Sequence, residues 1–323
     1  MLYLNTDDIN HIGIDWKNLV QQIKTTVEIM YDSDFHQPIK PYLRFKKPHN
    51  RIIAMPAYVG GDINCAGIKW IASFPDNIKS NMQRAHSVTL INDLDNGMPL
   101  CIINSAAVSG IRTASVSGLV IQEFLNTRSD FEDLSVGLIG LGPIGKMHLR
   151  MIDSMYGSAV KNYKVYDLRP IDTSDLPDSI RKKIVRCDNW QQAYRDSDIF
   201  ITCTVTKERY IDERPKVGSL QLNVSLRDYH AFYKDYVDCI MVDDWDEVCR
   251  ENTDIERMSI EHGLNKNDTI SMIDMVCKNA FGKLDDKSVV MFNPMGMAVF
   301  DLAIGAYYYQ KGIETKVGTV VND

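Results

Sequence analysis

Residues Ser135 to Arg150 read SVGLIGLGPIGKMHLR, a short apolar run, a glycine turn and then an amphipathic stretch that continues to Tyr156. The turn matches G-x-G-x-x-G at Gly140, Gly142 and Gly145, in the strand-to-helix setting that the pattern needs. Without side chains in the way, backbone N–H groups at a helix N-terminus can reach a pyrophosphate, and the helix dipole favours its charge. The next apolar run, YKVYD, ends in Asp167, where a carboxylate can accept both hydroxyls of an adenosine ribose. A 2′-phosphate would meet that charge at close range, so the predicted cofactor is NAD. The bland alternative is a tight turn whose glycines serve packing alone.

Working outward from the motif, short β-rich runs alternate with helical or loop stretches: LSVGLIG, YKVYD, KIVRC, SDIFITCTV, SLQLNVS, DCIMVDD and SVVMFNP. Such alternation predicts an α/β fold with a doubly wound parallel sheet, the Rossmann arrangement. The first hundred residues have another texture. DWKNLVQQIKTTVEIMY reads as a helix with Asp15 as N-cap and Leu19, Ile23, Val27 and Met30 on one face. Strand-like runs follow, and Asn96-Gly97 joins the last two as a hairpin. The closing GMAVFDLAIGAYYYQKG reads as a broadly apolar helix that returns to this α+β half. The expected organisation is a substrate-binding and dimerisation domain over 1–118 and 295–323, with the NAD-binding domain over 119–294.

Composition excludes several partners. The 323 residues are 45% hydrophobic and carry a formal net charge of -7. A nucleic-acid or anionic membrane surface would be repelled, so no partner of either kind is expected. Seven cysteines without a CxxC pair fit reduced thiols better than disulfides or a zinc site. The N-terminus has no basic stretch leading into an apolar run, which makes the cytoplasm the expected address.

An anionic small substrate would need local cations, and the first half offers Arg44, Arg51, Lys69, Arg84 and Arg112. Strand alternation puts Lys69 opposite both Ile68 and Trp70, which also fits a plain solvent-facing lysine. Arg112 opens a small-residue helix, where its guanidinium can grip a carboxylate or phosphate as a fork.

These residues carry a resemblance. GIKW, IRTASVSGLV, the glycine motif and FNPMGMAVFD resemble, in order and spacing, the ornithine cyclodeaminase/μ-crystallin family over essentially the whole chain. IKPYLR, RIIAMPAYVGG, NMQRA, ITCTVT, MVDDW and NPMGMA are similar to its branch of N-(2-amino-2-carboxyethyl)-L-glutamate dehydrogenases, which form L-2,3-diaminopropionate for siderophores and peptide antibiotics. The resemblance implies a homodimer. It places Arg44, Lys69 and Arg112 at the amino-acid carboxylate; the residues themselves add Arg84 to this cluster of cations, and Met295 is expected beside the substrate. It places Gly140, Gly142, Pro143, Ile144, Asp167, Thr204, Ser225 and Leu226 at NAD, which Arg112 also borders. Asp228 in SLRDYH matches the catalytic acid of the cyclodeaminases. Arg227, Phe232 and Pro294-Met295 depart from the cyclodeaminase pattern, which speaks against ornithine as substrate.

The implied substrate is an amino-acid conjugate with three carboxylates joined through a secondary amine. Its oxidation at the glutamate Cα gives an imine that water splits. Asp228 is the expected general base, although an Asx turn or helix cap would also explain it. Lys69 would hold a carboxylate and polarise the imine carbon. Ornithine cyclodeamination, imine reduction and a non-catalytic nucleotide-binding role are the alternatives. Acidic DDWDE follows a strand and reads as a helix cap, so no metal site is expected.

Overall fold

The computed structural model describes residues 1–47, 49–128 and 131–322. Contacts divide the chain into two compact units, Met1–Val116 with Gly296–Asp323, and Ser117–Met295. The division falls within one continuous helix, Ala106–Asn126.

In the first unit an eight-stranded sheet runs Thr319–Val320, Leu2–Asn5, Pro99–Asn104, Ala85–Asn92, Cys65–Ser73, Arg51–Val59 and Phe35–His36, with Tyr42–Arg44 also paired to Arg51–Val59. Every pair is antiparallel except Leu2–Asn5 with Pro99–Asn104. Burial alternates along Ala85–Asn92, as it should where one sheet face packs inward and the other does not. The Asn96-Gly97 hairpin is present: Gly97 takes φ 79° and Asp93 N–H donates to Met98 O at 2.8 Å. Helices Trp16–Tyr31 and Ala298–Thr315 pack together, the second also against the sheet. Asp15 caps the first by accepting from Asn18 N–H, and Leu19, Ile23, Val27 and Met30 are buried along it. The second is buried on all sides from Ala298 to Ala306, which is how a helix without a polar face must sit.

The second unit is a doubly wound sheet of eight strands: Ile184–Arg186, Val160–Tyr166, Leu134–Ile139, Ile199–Thr202, Leu220–Asn223, Val290–Asn293, Cys239–Val242 and Thr269–Ser271. All pairs are parallel. Its central strands are buried at every position because helices and loops cover both faces. The strand order reverses between Leu134–Ile139 and Ile199–Thr202, the topological switch point at which open α/β sheets bind ligands.

One buried polar pair locks the motif helix Pro143–Tyr156. His148 Nδ1–H donates to Ile144 O at 2.8 Å, leaving Nε2 to accept from the Ser117 hydroxyl at 2.9 Å. Burial pulls the imidazole down to about 4 from 6.5, with the Ile144 hydrogen bond opposing the fall. The native state therefore binds fewer protons here than the unfolded chain. This contribution is complete above pH 6.5 and is lost as pH falls toward 4, roughly 3 kcal/mol by linkage. Denaturant unfolding across that window should show a shallower pH dependence in His148→Asn than in the parent protein.

Candidate active site

The candidate residues fall into two sets, one within each unit. In the first, Lys69 stands in mid-strand opposite Met55 and Thr89, and only 2% of it is exposed. The solvent-facing alternative for this lysine is wrong. It is Trp70, 41% exposed, that lies on the outer face. Lys69 Nζ donates to Asp301 Oδ1 at 2.9 Å and to Ser109 Oγ at 2.7 Å. Arg112 Nε donates to the same Asp301 oxygen at 2.7 Å, while Asp301 Oδ2 is buried without a hydrogen-bond partner among the described residues. Lys40, 4% exposed, donates to Gly296 O at 2.7 Å.

The electrostatics follow from burial. Desolvation pulls the Lys69 ammonium down to about 8, with Asp301 opposing the fall and Arg112 and Lys40 adding to it. For Asp301 burial favours the neutral acid, but Arg112 and Lys69 together hold its carboxyl below the usual range. Gly296 completes the cluster. It takes φ 89°, and a Cβ there would stand 2.9 Å from Arg112 Nη1. Among the described residues Nε is the only guanidinium nitrogen of Arg112 with a hydrogen bond, so its outer fork has donors to offer an anion. Arg44 and Arg84 lie exposed, Arg44 with its guanidinium carbon 5.4 Å from the Tyr42 ring. The structure brings Lys69 and Arg112 together on one Asp301 oxygen. Arg51 lies beside the same Tyr42 ring, at 5.2 Å.

In the second unit the glycine turn is sterically specified. Gly140 takes φ 92°, and a Cβ on it would stand 2.4 Å from Cys203 O. One on Gly145 would stand 2.1 Å from Gly140 O. Gly142 is different: Arg169 Nη2, at 3.7 Å, is the one neighbour that a Cβ there would meet. This glycine is the N-cap of Pro143–Tyr156, with Pro143 in the first turn and no side chain capping the helix amides. A cavity of about 440 Å³ opens here, lined in part by Gly142, Pro143, Lys146, Asp167 and Arg169. Asp167 Oδ2 accepts Leu141 N–H at 2.8 Å and Oδ1 accepts Arg169 N–H at 2.9 Å, tying the acid to the loop. Free helix amides, an open glycine and a nearby carboxylate fit a dinucleotide. Ile144 lies in the first turn of the helix, its carbonyl taken by His148.

Asp228 lies on the same sheet edge, after Leu220–Asn223, and is fully buried. Thr204 and Tyr210 hydroxyls donate to its Oδ1 at 2.5 and 2.9 Å, and the Ser225 hydroxyl donates to Oδ2. Thr204 and Ser225 are therefore partners of the acid. The turn leading to it is strained: Leu226 takes φ 64°, a left-handed conformation costing about 1–2 kcal/mol for a residue with a side chain. Three interactions hold it. Leu226 N–H donates to Asn223 Oδ1 at 3.0 Å, its carbonyl accepts Asp254 N–H at 2.8 Å, and its side chain packs with Tyr229, Ile255 and Met258. Asp254 Oδ2 accepts the N–H groups of Asp228 and Tyr229 at 3.0 and 3.1 Å, and Oδ1 accepts Arg209 Nε at 2.7 Å. Burial raises Asp254 to about 6, against the pull of Tyr229 N–H, Asn223 and Arg209. Arg227 Nη2 donates to Glu251 O at 2.9 Å. Met295 N–H donates to Asp243 Oδ1 at 3.0 Å. In DDWDE, Asp244 does cap the short helix Trp245–Val248, and no metal-binding group of acids, histidines and cysteines occurs among the described residues.

Sequence reasoning missed Lys40, Asp301, Tyr210 and Asp254. A signal existed for Asp301, a lone acid inside the apolar run GMAVFDLAIG. Asp254 looks like any first-turn acid after a Thr cap, and nothing in the chain marks Tyr210.

Comparison with known proteins places the chain among amino-acid-metabolising enzymes. Residues 8–316 match the profile of the Ornithine cyclodeaminase/mu-crystallin family. The N-((2S)-2-amino-2-carboxyethyl)-L-glutamate dehydrogenase of Staphylococcus aureus is 31% identical, over 100% of this chain and 98% of that protein. The Thermococcus litoralis Δ1-pyrroline-2-carboxylate reductase, solved with NADH and L-proline, superposes with a TM-score of 0.86 at 20% identity, covering 99% of this chain and 100% of that one. An archaeal alanine dehydrogenase dimer with bound NAD gives a TM-score of 0.81 at 17% identity, covering 100% of this chain and 99% of that one.

The three glycines should separate by substitution. Gly140→Ala and Gly145→Ala, which drive a methyl into backbone carbonyls, are expected to lose about 1–3 kcal/mol of stability. Gly142→Ala should keep the melting temperature and weaken dinucleotide binding, as read by calorimetric titration.

Proposed function

The chain belongs to the ornithine cyclodeaminase/mu-crystallin family, and from that premise we propose that it is an NAD-dependent dehydrogenase cleaving N-(2-amino-2-carboxyethyl)-L-glutamate. The reaction consumes the conjugate, NAD⁺ and water, and yields L-2,3-diaminopropionate, 2-oxoglutarate, NADH and a proton. The observation that carries this reading is the buried pair Lys69 and Arg112 sharing one Asp301 oxygen, with donors left for a carboxylate. The full-length likeness to the staphylococcal dehydrogenase supports the choice of substrate.

NAD would be held by the loop from Gly140 to Ile144, with the Gly142 and Ile144 amides toward the pyrophosphate and Asp167 toward the ribose, and with Thr204, Ser225 and Leu226 beside it. When bound, it supplies the hydride acceptor. Lys69 and Arg112 fix the carboxylate on the carbon to be oxidised, and the positive field of Lys69 makes that carbon more electrophilic toward water. Arg44, Arg84 and Met295 complete substrate recognition in this reading. Asp228 takes the proton of the secondary ammonium, so that the neutral amine's lone pair drives the oxidation, and releases it to solvent; the restored carboxylate then takes a proton from the attacking water and passes it to the departing diaminopropionate nitrogen. No helix is long and apolar enough to cross a membrane among the described residues, and the cysteines are free thiols. Those thiols suit the cytoplasm, and the reading takes the chain as a homodimer supplying diaminopropionate for siderophore or peptide-antibiotic assembly.

The test is direct. Full-length protein with NAD and the conjugate should form NADH and 2-oxoglutarate in equal amounts. Ammonia from ornithine without NADH, or NADH consumption with a cyclic imine and inertness to the conjugate, would overturn the assignment. Asp228→Asn should lower kcat by about 10²–10⁴-fold while keeping NAD affinity.

A further inference from the structure

Asp301 does more than balance charge. It lies one turn into a helix that is otherwise apolar around it, and it is 2% exposed. One of its oxygens accepts from both Lys69 and Arg112, while the other faces no hydrogen-bond partner among the described residues. A bidentate pairing with Arg112 would use both oxygens and would tie up the guanidinium fork. The observed geometry instead contacts Arg112 only at Nε, from the side, and leaves Nη1 and Nη2 toward Gly296, where a side chain would collide with them.

We propose that Asp301 is a positioning residue. Its Oδ1 sets the Lys69 ammonium and the Arg112 fork side by side and keeps Lys69 charged in a buried site, so that the two cations receive one substrate carboxylate. The charged and titratable groups facing Lys69 are Asp301 from the C-terminal helix, Arg112 from Ala106–Asn126, and Lys40 from the segment before Tyr42–Arg44. Asp301 is the only anion of the three. Ser109 is a neutral acceptor on the same ammonium, at 2.7 Å. Removing the carboxylate leaves desolvation, Arg112 and Lys40 all favouring the neutral amine.

The inference uses the substrate reading above only for its kinetic arm. The primary measurement is a titration of the full-length protein carrying [ε-¹³C]lysine, with the Lys69 resonance identified by its loss in Lys69→Met. Relative to the parent, Asp301→Asn should lower the proton affinity of Lys69 by at least about tenfold, one pH unit. Ser109→Ala, which removes a hydrogen bond of similar length but no charge, should leave the midpoint in place. Asp301→Glu keeps the charge and lengthens the reach, so Lys69 should titrate as in the parent while KM for the conjugate rises about tenfold by re-aiming both cations. An unchanged midpoint in Asp301→Asn, or an equal shift in Ser109→Ala, overturns the proposal. If Asp301→Asn does not fold, Asp301→Glu decides: a parental KM overturns it. Should the parent form no NADH from the conjugate, the substrate reading fails, and the titration, which needs no substrate, still judges Asp301.

Discussion

Lys69, Arg112 and Asp301 are each less than a tenth exposed, so their charges are met by one another and not by water. Desolvating an ammonium or a carboxylate costs several kcal/mol even after relaxation, and a buried pair recovers that only with good geometry. Here one carboxylate serves two cations, with Lys40 close enough to disfavour a further positive charge. Such an arrangement is poor as a device for stability alone. It becomes intelligible when a second anion joins it, since a ligand carboxylate brings the charge that the protein withholds. The chain as a whole is acidic, with a formal net charge of -7. Recognition of the proposed anionic substrate would therefore come from short-range donors in a low-dielectric site, where a charge counts for far more than it does across the surface.

The second unit solves another problem, that of bringing backbone close to a ligand and to itself. At the switch point the loop after Leu134–Ile139 passes against Cys203, and Gly140 and Gly145 remove the atoms that would forbid it. At Gly142 a Cβ would meet only the far end of Arg169, at 3.7 Å, among the described residues, which is where a ligand's phosphates would gain from the missing Cβ. The turn before Asp228 reaches its shape without glycine. Leu226 is held in the left-handed region because Asn223 and Asp254 grip the backbone on either side and the side chain is packed into the core. Strain at such a place persists only where the surroundings over-determine it. Asp254, buried and raised to about 6, is the central support, joining the N–H groups of Asp228 and Tyr229 to Arg209.

Features set by local chemistry were legible in the chain. The Asp15 cap, the Asn96-Gly97 hairpin, the Asp244 cap and the glycine loop each depend on a few neighbouring residues. The doubly wound sheet was legible for a related reason: strands buried on both faces must be apolar throughout, and those runs are spaced by the crossovers between them. Burial of Lys69 was not legible, because alternation divides a strand into two faces without saying which one is covered. Helix Ala298–Thr315 decides that, from 232 residues away along the chain in the case of Asp301. Tyr210 and Asp254 were hidden for the same reason. Their partners are set by how loops from three strands meet, and neither residue type is unusual where it stands in sequence.

The surroundings of Asp228 bear on how it could act as a base. A carboxylate has about four lone-pair directions, and hydroxyls of Thr204, Tyr210 and Ser225 occupy three of them. One direction is then left for a substrate proton without breaking anything already made. The acid can thus exchange a single proton at a time along a defined line, while the three hydroxyls keep its plane from turning. Tyr210 is itself suited to stay a donor, since burial and then the Asp228 charge raise its phenol far above the ordinary range. A hydroxyl that cannot ionise cannot compete for the proton that the acid removes. The ring of neutral donors therefore orients the carboxylate and, in the proposed reaction, would leave the proton transfer to Asp228 alone.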